Sequence, residues 1–218
     1  MTATTAPVPA ALDRDEVAGL FAQTMGLVAV TAGLFTLGSY IGRDLSSGWA
    51  WLWFIAAVGA LIGINVTASR SEPLTLSLLC GFGLLLGLAV APTVSYYLDT
   101  DPQIVWQAGG ATPRINVGFG AAGYATRRDL SALSRYLTWA LVALIAFGIA
   151  LVFVQIPGGS QIYAIAGLAI FAGLTAYDFQ RLRRTQDIRT APLLAASIFL
   201  DVLNVFFLFL SLFSGTDR

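Results

Sequence analysis

The chain has 218 residues, of which 57% are hydrophobic and 11% charged, and its 12 basic and 12 acidic side chains cancel to zero net charge. Zero net charge leaves no electrostatic footprint for nucleic acid, and so apolar a composition exceeds what a soluble domain of this length needs. The apolar residues fall in blocks long enough to cross a bilayer, which takes roughly 20 residues per helix, and predict an all-α integral membrane bundle of seven transmembrane helices.

Taken in chain order, Met1 to Asp13 is rich in Ala, Thr and Pro and reads as disordered, within a tail that runs to residue 17. The flank Asp13-Arg14-Asp15-Glu16 lacks the positive charge of a signal peptide, so the first span is expected to remain as a helix. Spans are predicted at Ala18 to Tyr40, Gly48 to Ala68, Pro73 to Leu98, Ile104 to Ala125, Tyr136 to Val154, Ile162 to Leu182 and Pro192 to Phe213. They make one membrane domain over residues 18–214, with short connections and no internal repeat.

All the basic residues are Arg, and their placement predicts orientation because Arg is retained on the cytoplasmic side. The tail and the loops after spans two, four and six hold Arg14, Arg70, Arg127, Arg128, Arg135, Arg181, Arg183, Arg184 and Arg189, while the other side holds Arg43 and Arg218. This bias puts the N-terminus in the cytoplasm and, with an odd number of spans, the C-terminus outside. The Arg clusters are explained by topology; a second role, touching anionic lipid headgroups, is also open.

Cys80 is single and inside the third span, so no intramolecular disulfide is expected. The loop Asp99 to Gln103 carries two carboxylates that either attract cations to an outer mouth or are simply solvated. Gly83-Leu-Leu-Leu-Gly87 on the third span has the spacing that lets membrane helices approach closely. Gly118-Phe-Gly120-Ala-Ala-Gly123 formally matches the dinucleotide fingerprint, but it lies in an apolar span with no preceding strand, so these glycines are expected to pack helices.

Three ionisable residues cannot reach water from within their spans: Arg114, Asp178 and Asp201. Each costs a few kcal/mol or more at the bilayer centre unless paired or hydrated. Asp201 lies about 13 Å into the last span, and Ser197, Asp201, Asn204 and Ser211 make one polar stripe on a helix otherwise of Leu, Phe, Val and Ile. That stripe must face protein or a wet cavity. Spans six and seven form a hairpin across Asp187 to Ala191, with Thr190 placed to cap and Pro192 in the first turn of the last helix. Asp178 and Asp201 are nearly equidistant from its midpoint and should lie at similar depth. Two neighbouring carboxylates in a low-dielectric site cannot both ionise cheaply and would share a proton. The competing reading makes Asp178 an interfacial partner of Arg181.

Arg114, in Thr112-Pro113-Arg114-Ile-Asn116, cannot neutralise itself by losing a proton. Either it pairs with Asp201, or Pro113 breaks the helix and opens a wet vestibule for it.

The runs Ala176-Tyr-Asp178-Phe-Gln-Arg-Leu and Ile198-Phe-Leu-Asp201-Val-Leu-Asn-Val-Phe-Phe-Leu-Phe-Leu resemble the closing signature of the Bax-inhibitor-1 family, the transmembrane Bax inhibitor motif proteins. Ala91-Pro92-Thr-Val-Ser-Tyr-Tyr and Tyr124-Ala-Thr-Arg-Arg-Asp129-Leu-Ser extend the likeness from about Arg70 onward. The resemblance implies seven helices with the last one central, in a bacterial cytoplasmic membrane. It also implies a pH-sensitive calcium leak whose sensor is an aspartate pair, here Asp178 and Asp201; the polar stripe of the last span would then turn Ser197 and Asn204 to the pore. Calcium would be a permeant ion passing near the aspartates, not a bound cofactor, and no resident metal or other cofactor is expected. The family's latch arginine corresponds by position to Arg70. Arg114 and Pro113 depart from the small apolar residues expected there, and a fixed positive charge on the pathway would oppose cation flow. Bacterial relatives are described as partners of a membrane-bound AAA protease.

The leading reading is therefore a pH-gated cation leak in contact with membrane lipids. The alternative is a non-conducting regulator that binds a membrane protease or other membrane partner, and a proton-coupled transporter stands third. An enzyme is not expected: there is no His, no zinc ligand set and no G-x-S-x-G element. Nor do Tyr177-Asp178-Phe179 and Leu200-Asp201-Val202 supply the Gly-rich context of an intramembrane aspartyl protease.

Overall fold

The computed structural model describes residues 14–45, 47–154, 156–185 and 187–216. The predicted tail Met1 to Asp13 and Arg218 lie outside the described residues. Among the described residues there are seven α-helices, no strand and two 3-10 turns. The helices are α1 (Arg14–Gly42), α2 (Ala50–Thr67), α3 (Glu72–Thr100), α4 (Pro102–Ala125), α5 (Ser131–Phe153), α6 (Gly159–Arg184) and α7 (Ala191–Thr216). Each predicted span falls on one of them, and the ends differ by a few residues at most of the boundaries.

Six of the seven are long and apolar enough to cross a membrane; α4 is not among them. It carries Gln103, Gln107, Arg114 and Asn116 and several glycines in 24 residues, which dilutes its apolar run. Pro113 does not break it. The helix continues from Pro102 to Ala125, as membrane helices tolerate proline where neighbours and side chains satisfy the freed carbonyls. The predicted loop Asp99 to Gln103 also shrinks, because α3 runs to Thr100 and Asp101 accepts from the Gln103 and Ile104 amides at 3.1 and 3.4 Å. Asp101 is thus an N-cap.

Helix α7 forms the middle of the bundle. It packs on α6, α4 and α1 and more lightly on α2 and α3, and it contributes to every core cluster: Phe199 and Leu203 meet Ile64, Leu79 and Phe82, Leu194 and Ile198 meet Leu20 and Leu182, Leu210 meets Ile104, and Val205 and Leu208 meet Phe171. Its apolar stretch is 61% buried, against 6% for α5. A helix apolar almost all round must be enclosed or face lipid; α7 is enclosed, whereas α5 turns Trp139, Val152 and Phe153 outward.

Small residues set the tightest contacts. A side chain at Gly83 or Gly87 of α3 would strike the α1 backbone at Thr31 or Phe35, and one at Gly123 of α4 would strike the α6 backbone at Ala176. Gly120 faces the Phe179 ring, but Gly118 faces open space, so only two of the three fingerprint glycines pack helices.

Candidate functional site

The α6–α7 hairpin turns through Ile188–Thr190, where Asp187 accepts from the Arg189 amide at 2.9 Å. Thr190 does not cap α7 through its side chain: its hydroxyl donates to the Asp187 carbonyl at 2.7 Å. Pro192 does sit in the first turn of α7.

The hairpin brings Asp178 and Asp201 together. Both are 5% exposed, and both line a cavity of about 560 Å³ bounded by α5, α6 and α7. Ser197 lines the same cavity. Asp201 Oδ2 is buried with no hydrogen-bond partner among the described residues. Buried polar atoms are nearly always partnered, so this oxygen is an exception that the described residues do not account for.

Ser197, Asp201 and Asn204 line this cavity as one stripe of α7, while Ser211, the fourth residue of the predicted stripe, does not. Asn204 donates to the Leu200 carbonyl at 2.8 Å. Arg181 also lines the cavity, yet no ion pair joins it to either aspartate among the described residues.

The arginines singled out by the sequence lie elsewhere. Arg114 is exposed and donates to the Gly110 carbonyl of its own helix at 3.0 Å, so the structure does not bring it to Asp201. Arg70 is exposed in the turn between α2 and α3 and makes no ion pair among the described residues.

Three residues not picked out as site residues by the sequence hold the helices around the cavity. Asn116 of α4 is buried, donates to the Thr112 carbonyl at 2.9 Å, and receives the Thr175 hydroxyl at 3.2 Å. Gln180, 1% exposed, accepts from the Leu130 amide at 2.9 Å and donates to the Arg128 carbonyl at 2.6 Å. Arg183 donates to the Tyr124 and Thr126 carbonyls at the end of α4. An amide inside an apolar span, as at Asn116, is a signal of the same kind as a buried charge. For Gln180 and Arg183 the only signal is a polar run at a helix end, which topology alone explains.

A family model described as inhibitor of apoptosis-promoting Bax1 matches residues 17–218. The chain belongs to the Bax inhibitor family. That match takes in both aspartates, the hairpin and every helix of the bundle but the first residues of α1. Among the proteins similar to this chain, an uncharacterised Chlamydia muridarum protein is 29% identical over 89% of this chain and 88% of its own. A Helicobacter pylori protein of strain J99, also uncharacterised, is 27% identical over 95% and 92%. The Golgi anti-apoptotic protein of Vaccinia virus strain Lister is 30% identical over 74% of this chain and 67% of its own.

Proposed function

We propose that this Bax inhibitor homologue is a pH-sensitive cation leak, with calcium as a permeant ion and Asp178 and Asp201 as its switch. The observation that supports it best is the pair itself: two buried aspartates on adjacent helices line one cavity, and one Asp201 oxygen lacks a partner. A shared proton removes the repulsion between the carboxylates and lets α6 and α7 stay closed. Loss of that proton leaves two like charges in a medium that screens them poorly, which favours separation of the arms and entry of water. Carboxylates then offer a cation the charge that a hydrated path through lipid requires.

In this reading all seven helices cross the bacterial cytoplasmic membrane, with the N-terminus inside and the C-terminus outside, and residues 18–214 act as one domain. Helix α4 crosses despite its polarity because Asn116 and Thr112 satisfy themselves against neighbouring backbone and Thr175. No resident cofactor and no catalytic chemistry are assigned.

The test is calcium entry into dye-loaded liposomes from pH 5 to 8, comparing wild type with Asp178→Asn, Asp201→Asn and Arg114→Ala. A leak that rises with pH and loses that dependence in either aspartate variant supports the switch. An unchanged leak in Arg114→Ala is expected, since that residue sits outside the cavity. Folded protein that leaks no more than empty liposomes would overturn the channel and favour a non-conducting regulator that binds a membrane protease or other membrane partner.

A further inference from the structure

A second, larger cavity lies on the other side of α7. Helices α1 and α4 both pack on α7 and leave a groove between them of about 990 Å³, floored by Ile198, Val202 and Phe206. At one end the Phe21 and Tyr124 rings meet, 5.6 Å apart and edge to face. Its walls are apolar side chains such as Met25, Val28 and Val117.

The few polar groups in the walls ask nothing of an occupant. The Thr36 hydroxyl donates to the Ala32 carbonyl at 2.9 Å, that of Thr112 to the Ala108 carbonyl at 2.8 Å, and the Asn116 amide to the Thr112 carbonyl at 2.9 Å. Water needs two to four partners and would find few here. An apolar occupant loses nothing.

Dimensions narrow the choice. From Gly109 to Tyr124 the groove runs about 22 Å along α4, against roughly 15 Å for the hydrocarbon of one leaflet. A groove of that length covers the acyl region of one leaflet from end to end, the reach of one lipid chain. At the Tyr124 end the chemistry changes: Arg183, which already serves the Tyr124 and Thr126 carbonyls, lies 6.0 Å over the Tyr124 ring, and Arg127, three residues beyond Tyr124, is exposed and makes no ion pair among the described residues. A cation at the end of an apolar slot is complementary to a phosphate at the end of a hydrocarbon chain.

We propose that the α1–α4 groove is a binding site for one acyl chain of a bilayer glycerophospholipid, with the lipid phosphate at the Tyr124–Arg127 end. Beyond the Phe21–Tyr124 contact the chain fills the gap between α1 and α4, so the lipid is part of the bundle wall and not merely its solvent.

Two measurements test this. Full-length protein reconstituted with phosphatidylglycerol carrying a diazirine on its acyl chain is irradiated and mapped by peptide mass spectrometry. Adducts concentrated on residues 18–36 of α1 and 109–124 of α4 are expected; an even spread over all outward faces, α5 included, would overturn the site. Native mass spectrometry after detergent release then counts retained phospholipid. Val117→Trp and Ala121→Trp, both at exposed positions in the groove wall, should each lower retention about tenfold or more, the loss of two or more buried methylenes. Arg127→Gln should lower it less, and Val142→Trp on the lipid face of α5 not at all. Retention that ignores the filled groove, or a dimer in place of a lipid adduct, would overturn the proposal, and the crosslinking result stands even where a Trp variant fails to fold.

Discussion

The Thr175 hydroxyl on α6 donates to Asn116 Oδ1 on α4 at 3.2 Å, both side chains being buried. This is a direct polar contact between the helix that carries Asp178 and the helix behind it. Replacing Thr175 with Val keeps the shape and orphans a buried amide oxygen. Thermal unfolding in detergent should show a loss of about 0.6–2 kcal/mol, and the Thr175→Val/Asn116→Leu double variant should lose less than the sum of the singles. Full additivity would mean that the contact contributes nothing.

Glycine substitutions separate close approach from mere helix composition. Gly123→Ala drives a methyl into the Ala176 backbone, whereas Gly118→Ala meets open space. The first should destabilise by about 1–3 kcal/mol or more and the second should be neutral or slightly stabilising. Equal effects would place the α4–α6 contact elsewhere.

The two neighbouring arginines at the end of α6 should differ sharply. Arg183 is half-buried and satisfies carbonyls left open by the end of α4, so Arg183→Met should cost about 1–3 kcal/mol and speed amide exchange in residues 126–130. Arg184 pairs with Asp129 at 2.9 Å with both side chains well exposed, and Arg184→Ala should leave stability and exchange nearly unchanged.

Asp129 gives a pH dependence outside the membrane. The hydroxyl and amide of Ser131, and then Arg184, hold its carboxyl below the usual carboxylate range. A carboxyl lowered by folding contributes order above its unfolded titration range and loses it as pH falls through the folded one. Hydrogen exchange of the loop 126–130 should therefore be flat from pH 8 to 5, after correction for intrinsic rates, and gain speed only in more acid solution. Asp129→Asn should remove that acid step. A step near neutrality would point to a different group.

The sequence by itself determined the helices, because a run of about 20 apolar residues has no other low-energy form in a bilayer. It also determined that Asp178 and Asp201 would meet, because the short hairpin between α6 and α7 fixes their depth and because neither carboxylate can face lipid. Sequence could not fix where Arg114 points, since a proline allows both a break and a continuous helix; the packing of α4 on α6 and α7 kept it continuous and turned Arg114 outward. Nor could it show that Arg183 and Gln180 hold the α4–α5 connection, because a cluster of arginines at a helix end satisfies topology whether or not it touches anything. Which side of α7 became the aspartate cavity and which the apolar groove was decided only when six other helices competed for its surface. Burial of a helix is a property of its neighbours, and a linear sequence states only which faces would tolerate it.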